Sequence, residues 1–112
     1  MTDRNFVAHI LNEIDGIGSS IENLTEQDFM KNFLIQDAVV RNLEIIGEAA
    51  KKISIRIRTE HSEIPWKKIT GMRDKQIHDY FGVDLISVWA VVENDLKELK
   101  EQLLKINLKS LD

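Results

Sequence analysis

Two long stretches of apolar residues, spaced alternately four and three positions apart, constrain the fold of this chain more than any other feature. An α-helix has 3.6 residues per turn, so this spacing aligns apolar side chains along one helical face, whereas a strand would need alternation at every second residue. Both stretches are therefore predicted to be helices that bury one face. The first seam consists of Ile35, Val39, Asn42, Ile46, Ala49 and Ile53, with Asn42 as its one polar member, and the second consists of Leu85, Trp89, Val92, Leu96, Leu99, Leu103 and Ile106.

The other helices are predicted from shorter apolar patterns and from residues typical of helix ends. Thr25 and Asp28 have the spacing of a capping box, which marks a helix start. Residues 54–64 are polar and indicate a short helix or a loop. Leu34, Ala38, Leu43 and Ala50 are predicted to widen the apolar face of the second helix. The predicted helices run from Asp3 to Asn23, from Thr25 to Ile53 with a break near Asn32, from Pro65 to the residues before Gly82, and from Asp84 to Leu108.

Composition supports a small helical protein. The 112 residues, 43% of them hydrophobic and 30% charged, suit a single domain spanning residues 1–112. Five glycines and one proline are too few for a turn-rich β fold, and no cysteine is present to form a disulfide. No apolar run approaches the roughly 18 residues of a membrane span, so a cytoplasmic protein without membrane contact is expected. The prediction is an all-α, up-and-down bundle of about four principal helices, whose surplus apolar surface favours a homodimer.

A short stretch of chemically active residues, Arg73 to Tyr80, precedes Gly82, which is predicted to end its helix. Its arginine and histidine are five positions apart, about 140° beyond one full helical turn. Histidine exchanges protons near neutral pH and arginine offers a planar cation that fits phosphate, so the pair suits phosphodiester cleavage. The structural alternative is that Arg73 pairs with Asp74 while His78 caps the helix end, where positive charge is favourable.

The distribution of charge is uneven along the chain. Its formal net charge is −4, yet eight lysines and arginines outnumber three acidic residues between Lys51 and His78. A basic segment that contains the arginine–histidine pair is expected to attract phosphate while the rest of the chain stays acidic. The alternative is an ordinary solvated surface.

The arginine–histidine stretch and its surroundings resemble a known family. Residues 73–80 resemble the Arg-x4–6-His motif of the HEPN superfamily, in the Arg-x4-His-x-Tyr form of the HepT-like ribonuclease toxins. The family favours a polar residue after the arginine, and Asp74 fits that preference. Residues 41–49, 64–66 and 80–84 also resemble the family, so the resemblance covers nearly the whole chain.

The resemblance implies a HEPN-like fold and metal-independent cleavage of RNA, without a cofactor. His78 is implied to be the general acid or base, and Arg73 to stabilise the transition state. The family is further implied to act as the toxin of a HepT/MntA toxin–antitoxin system, as a homodimer whose two motifs face a shared cleft. The alternative function is a non-catalytic helical module that binds a nucleotidyltransferase or nucleotides.

The resemblance assigns a regulatory role to Tyr80. The antitoxin of such systems is a MntA-like nucleotidyltransferase, which transfers AMP from ATP to the motif tyrosine. Added AMP would place bulk and negative charge beside the catalytic histidine. Without the resemblance, Tyr80 is better interpreted as an aromatic residue packed beside Phe81 at a helix end.

Three polar residues of the second helix are candidates for supporting roles. Asn42 lies within the apolar seam, where its amide either fixes the packing register or forms part of the active-site wall. Glu44 and Glu48 lie on a neighbouring face with Asp37 and Arg41, which are spaced to form an ion pair within the helix. The alternative role of this face is that Glu44 or Glu48 orients the Arg73 guanidinium. No residues at ligand spacing join these glutamates, so no metal site is predicted.

Overall fold

Helices make up the architecture of the computed structural model, which describes residues 2–79 and 85–106 without the side chains of residues 73–79. The element bounds agree with the predicted periodicity to within a few residues. The elements are α1 (Asp3–Ser20), α2 (Glu26–Lys31), α3 (Phe33–Lys51), α4 (Ile55–Glu60), α5 (Trp66–Asp79), α6 (Leu85–Ala90), a π-helical turn (Val91–Asp95) and α7 (Leu96–Leu104).

Four of these elements are long enough to define the bundle: α1, α3, α5 and the continuous rod from α6 through the π-helical turn to α7. The prediction of an all-α fold with four principal helices is therefore confirmed, and the described ranges contain no strand. Within those ranges, no helix combines the length and the apolar character that crossing a membrane would require.

Contacts between helix termini define one end of the bundle, called here the far end. Asp3, at the start of α1, accepts hydrogen bonds from the backbone N–H and the hydroxyl of Ser54, at 2.8 and 2.7 Å, just beyond α3. The side chain of Gln102 in α7 donates to the carbonyl of Glu63, at 3.3 Å, just before α5. The far end therefore unites the start of α1, the end of α3, the start of α5 and the end of α7.

The opposite end, called here the motif end, unites α2, the start of α3 and α6. The Gln36 amide donates to the carbonyls of Phe29 and Met30, at 2.9 and 3.1 Å. The Phe29 ring lies against Trp89 of α6, with a centroid distance of 5.2 Å. Only five residues separate α5 from α6, so the last turns of α5 also reach this end. The four principal helices thus alternate in direction, as expected of an up-and-down bundle.

Side-chain caps explain where α2 and α3 begin. The Thr25 hydroxyl accepts from the Asp28 backbone N–H at 3.1 Å, and the Asp28 carboxylate accepts from the Thr25 N–H at 3.0 Å, which confirms the predicted capping box. Hydrogen bonds from the Thr25 backbone and side chain lower the pKa of the Asp28 carboxyl. The predicted break near Asn32 is also confirmed, because its side chain accepts from the Ile35 N–H at 3.1 Å and starts α3 as a separate helix.

The hydrophobic core lies between the inward faces of the long helices. Leu43 and Ala50 widen the buried face of α3 as predicted, but Leu34 and Ala38 do not, since both are exposed. A helix packed on one side cannot bury apolar residues that extend more than halfway around it. The residues with the least exposed side chains are Val7, Ile10, Ile17, Phe29, Val39, Leu43, Ile46, Ala50, Ile53, Ile57, Ile64 and Leu103.

The last helix departs from its predicted seam at its beginning. Val92, Leu96, Leu99 and Leu103 are buried as predicted, whereas Trp89 is only partly buried and Val88 takes the core position. The π-helical turn explains the difference, because its Leu96 N–H bonds to the carbonyl of Val91, five residues earlier. Such a turn holds more residues than an α-turn and shifts the buried face of the segment before it.

Candidate functional site

The helix that carries the arginine–histidine pair, α5, is fixed by its first two turns. Trp66 is buried and its indole N–H donates to the carbonyl of His61 at 3.0 Å. Pro65 precedes the first turn and its carbonyl accepts from the Ile69 N–H at 3.0 Å. Ile69 and Met72 are buried one and two turns into the helix. These contacts anchor α5 at the far end, so its remaining turns extend from a packed base towards the motif end.

The predicted catalytic residues lie in the C-terminal half of α5. Arg73, Asp74 and His78 belong to this helix, which continues without interruption through Gly71. The backbone of Arg73 and His78 is therefore helical, as the interpretation of their five-residue spacing requires. Side-chain geometry for these three residues lies outside the described part of the chain. Tyr80 lies outside the described residues altogether, as do Gly82 and Asp84, the predicted ends of the flanking helices.

The predicted supporting residues lie on the helix that packs most extensively against α5, which is α3. Asn42, Glu44 and Glu48 are all partly buried. Partial burial fits polar side chains at the edge of a helix–helix contact, where they reach both a neighbouring element and water. The structure thus brings the helix of these residues beside the helix of Arg73, while the predicted contact between a glutamate and its guanidinium stays a prediction.

Several basic residues of the segment between Lys51 and His78 lie far from the arginine–histidine pair. Lys51, Lys52 and Arg56 are exposed at the far end, where α3 ends and α4 begins. Lys67 also lies in the first turn of α5, and a rise of 1.5 Å per residue places it about 16 Å along the helix from His78. Residues that are close in sequence were separated because the chain reverses direction between α3 and α5. These basic residues therefore lie at the far end of the bundle.

The other histidines each lie beside a single glutamate rather than in a cluster. His9 lies 3.9 Å from Glu13, and His61 lies 3.6 Å from Glu63. In the described ranges, no group of three or more histidine, aspartate or glutamate side chains is arranged to hold a metal ion.

Large apolar side chains are exposed at both ends of the bundle, and the motif end carries three of the five that are exposed among the described residues. Leu34 and Phe33 begin α3 and are 78% and 64% exposed, and Ile86 in α6 is 65% exposed. Met30, Lys31 and Ile86 line an open groove of about 430 Å³ between α2 and α6. The sequence indicates part of this surface, since α3 has more apolar residues than one buried stripe requires. The prediction instead placed Leu34 and Ala38 on the buried face.

Comparison with known proteins extends the resemblance beyond the motif. A family model described as ribonuclease HepT-like matches residues 10–106. "Putative RNase TTE0752" of Caldanaerobacter subterraneus is 41% identical over 105 residues, covering 94% of this chain and 94% of that protein. "Putative RNase MJ1216" of Methanocaldococcus jannaschii is 45% identical, with 90% of this chain and 84% of that protein covered.

A third relative carries a more specific name. "Probable ribonuclease HepT" of Thermococcus cleftensis is 39% identical over 103 residues, covering 92% of this chain and 94% of that protein. No solved structure matches the chain. The similarity to these relatives spans the bundle from α1 to α7 and includes the helix with Arg73 and His78.

Proposed function

The chain belongs to the ribonuclease HepT-like family, and from that membership we propose that it is a metal-independent endoribonuclease in which Arg73 and His78 cleave RNA. The family match over residues 10–106 carries the proposal, because it includes both residues and the helices that flank them. The position of the pair in the last turns of α5 supports it, since the end of a helix can present side chains to an extended substrate.

The proposed reaction is an internal transesterification of the RNA backbone. The 2′-hydroxyl oxygen attacks the adjacent phosphorus, the bond from phosphorus to the 5′-oxygen breaks, and a cyclic phosphate and a free 5′-hydroxyl result. His78 removes the proton from the 2′-hydroxyl or supplies one to the departing oxygen. Arg73 stabilises the charge that develops on the phosphoryl oxygens. His78 thus accounts for one of the two proton transfers, solvent water serves for the other, and Arg73 accounts for the charge, so the reaction needs no cofactor.

We further propose that the ribonuclease is the toxin of a toxin–antitoxin pair and acts on cytoplasmic RNA. Its antitoxin would be a MntA-like nucleotidyltransferase that transfers AMP to Tyr80. Because Tyr80 is two positions beyond His78, an attached AMP would repel the RNA phosphate and occupy its space. The active form would be a homodimer in which the motifs of both subunits face one cleft, with Asp74, Asn42, Glu44 and Glu48 in supporting positions.

The decisive experiment measures RNA cleavage by the purified protein in excess EDTA. Wild-type protein should cleave, and His78→Ala should lose about 100- to 1000-fold in rate, the usual cost of removing an acid–base group. His61→Ala is the matched control, because it removes a histidine from the far end and should cleave normally. A requirement for a divalent ion would defeat the mechanism, and an inactive wild-type protein would favour a non-catalytic binding module.

The role of Tyr80 is tested by incubating the protein with a MntA-like nucleotidyltransferase and ATP. Wild-type protein should gain AMP by intact mass and lose cleavage activity. Tyr80→Phe keeps the ring but removes the acceptor oxygen, so it should cleave RNA yet remain unmodified and active. The proposed switch is wrong if Tyr80→Phe is modified and inhibited as fully as the wild-type protein.

A further inference from the structure

One face of α5 leads along the helix to the arginine–histidine pair. Positions 67, 71, 74 and 78 are spaced four, three and four residues apart, so they lie on one helical face, called here the α5 outer face. It begins at Lys67, about 16 Å along the helix from His78. The buried side chains among the described residues of α5 lie on the opposite side of the helix and are Trp66, Ile69 and Met72.

Lys67 supplies the positive charge at the start of this face. Its side chain is exposed, and none of the ion pairs between described residues involves it. The next residue, Lys68, is paired instead with Asp95 of the π-helical turn, with 2.8 Å between its Nζ and a carboxylate oxygen. Two adjacent lysines therefore differ in role, because the charge of Lys68 is balanced within the chain whereas that of Lys67 is open to an external anion.

Gly71 leaves the α5 outer face bare one turn further along. Its φ is not positive, and a Cβ at this position would meet no neighbouring side chain and no other helix within 4 Å. Neither turn geometry nor packing therefore requires glycine here, although glycine inside a helix is less stable than alanine. Glycine does allow a ligand to approach the helix backbone closely.

We propose that the α5 outer face is a subsite for the RNA strand that flanks the scissile phosphate. One phosphate of this strand lies on the Lys67 ammonium, and the strand passes close over Gly71 towards His78. A stacked strand advances about 3.4 Å per nucleotide, so about five nucleotides separate the two ends of the subsite. The subsite rests on the proposed function and deepens it, because it adds a substrate contact remote from the reacting atoms.

The aspartate at position 74 limits where the phosphates of the strand can lie. A carboxylate repels phosphate, but it accepts hydrogen bonds from ribose hydroxyls and base amino groups. A flanking phosphate is therefore expected beside Lys67 rather than beside position 74, with sugars or bases of the strand nearer to the aspartate.

An RNA strand fits the α5 outer face better than a protein partner does. Protein interfaces bury large apolar and aromatic side chains at their centre. None of the five large apolar side chains that are exposed among the described residues belongs to α5. A phosphodiester strand needs a cation and close access to the surface instead, and Lys67 and Gly71 supply these two features.

Steady-state cleavage in excess EDTA is the first test, with a single-stranded RNA of about 20 nucleotides, long enough to span the subsite, and with a dinucleotide. Lys67→Gln should raise the KM for the long RNA about two- to fivefold, the range of an exposed charge pair, and leave kcat unchanged. Cleavage of the dinucleotide should not change, because it cannot reach from His78 to Lys67. Lys68→Gln is the matched control, since it removes the same charge from the adjacent residue. A wild-type KM in Lys67→Gln would overturn the proposal.

Binding of the long RNA in 2′-O-methyl form separates this proposal from the proposed function, because that RNA lacks the attacking hydroxyl and stays intact. On a logarithmic plot, the association constant falls with salt concentration, and Lys67→Gln should reduce the slope by about 0.7, the contribution of one single-strand phosphate. Lys68→Gln should keep the wild-type slope, and equal reductions in both variants would contradict a specific subsite.

The two assays together give distinguishable failures. If only Lys67→Gln reduces the slope but the wild-type protein cleaves no RNA, the subsite stands and the ribonuclease proposal fails. If the wild-type protein cleaves RNA and Lys67→Gln keeps both its KM and its slope, the ribonuclease proposal stands and the subsite is wrong.

Substitutions of Gly71 test the close approach of the strand. Gly71→Ala should raise the thermal unfolding midpoint, because alanine favours a helix and its Cβ meets no neighbour. Gly71→Leu should raise the KM for the long RNA and leave dinucleotide cleavage unchanged, because its side chain stands between the backbone and the strand. Gly16→Leu is the matched control, since Gly16 is a helical glycine of α1 with equally open surroundings. A wild-type KM for the long RNA in Gly71→Leu would refute the close approach.

Discussion

The far end and the motif end of this bundle are built differently. At the far end, buried Asp3 is hydrogen-bonded to Ser54, and the Trp66 indole to the carbonyl of His61. At the motif end, Gln36 and the Phe29–Trp89 pair hold α2, α3 and α6 together, but large apolar side chains remain exposed around them. Polar contacts between helix termini hold the far end together, whereas an amide and an aromatic pair hold the motif end, which also carries the open groove between α2 and α6.

The polar contacts that stabilise the helix termini and the residues proposed for catalysis therefore lie at opposite ends of one short molecule. A helix anchored in its first turns can carry reactive residues in its last turns without those residues contributing to the fold. The basic residues near α4 do not contradict this separation, because they lie at the far end rather than around the motif. Substitutions in the last turns of α5 should therefore change activity with little effect on folding, while substitutions in the polar contacts of the far end should change the free energy of unfolding.

The largest effect is expected for Arg73. Arg73→Ala should lower the rate of RNA cleavage by about 100- to 1000-fold, the usual cost of removing a group that stabilises the transition state. Arg73→Lys should restore little of it, because an ammonium lacks the planar fork of the guanidinium. Thermal unfolding of both variants should resemble that of the wild-type protein.

The control for Arg73 is an arginine at the far end. The Arg58 guanidinium donates to the carbonyl of Ile53 at 3.1 Å, so Arg58→Ala should lower stability by about 0.5–1.5 kcal/mol and leave cleavage unchanged. If Arg58→Ala cleaves RNA as slowly as Arg73→Ala, the expected functional difference between the far end and the motif end is wrong.

The next effect concerns the buried acid of the far end. Asp3→Ala should destabilise the protein by about 1–3 kcal/mol, because it leaves the Ser54 N–H and hydroxyl without their acceptors. Chemical denaturation measures the change. Asp15→Ala is the comparison, since Asp15 forms an exposed ion pair with Lys100 at 2.8 Å and should cost no more than about 1 kcal/mol. Equal losses for the two variants would show that the Asp3 contacts do not close the far end.

A smaller effect is expected at the aromatic pair of the motif end. Phe29 and Trp89 lie with ring centroids 5.2 Å apart and an interplanar angle of 38°. A double-mutant cycle with Phe29→Leu and Trp89→Leu should give a coupling energy of about 0.5–1.5 kcal/mol. Phe29→Leu alone should cost more than Trp89→Leu alone, because Phe29 is fully buried and Trp89 is not. Additive losses would mean that the two rings do not stabilise each other.

The smallest effect is a pH dependence at the start of α2. The pKa of Asp28 is lowered from its ordinary value of 3.8 by the hydrogen bonds from Thr25, so the ionised form favours the folded state. Its stabilisation is complete above pH 3.8 and is lost as the pH falls through the lowered pKa. Asp28→Asn should remove this contribution, so the difference in unfolding midpoint from the wild-type protein should shrink below pH 3.8. A constant difference across this range would show that the Asp28 charge does not contribute.

Much of the bundle was predictable because its signals are local. The apolar periodicity placed α1, α3 and the final rod, and the capping box at Thr25 and the break at Asn32 were both correct. Such features depend on residues within one or two turns of each other, which a sequence displays directly. The Arg73–His78 motif was visible for the same reason, and the family match covers it.

The sequence by itself determined which segments are helical, where two of them are capped, and which residues form the candidate pair in α5. Only the tertiary structure decided that Leu34 faces water, that Val88 rather than Trp89 is buried, and that Asp3 bonds to Ser54 across the far end. The physical reason is that periodicity states which residues share a helical face, whereas burial depends on whether another helix covers that face. That choice is made by residues distant in sequence.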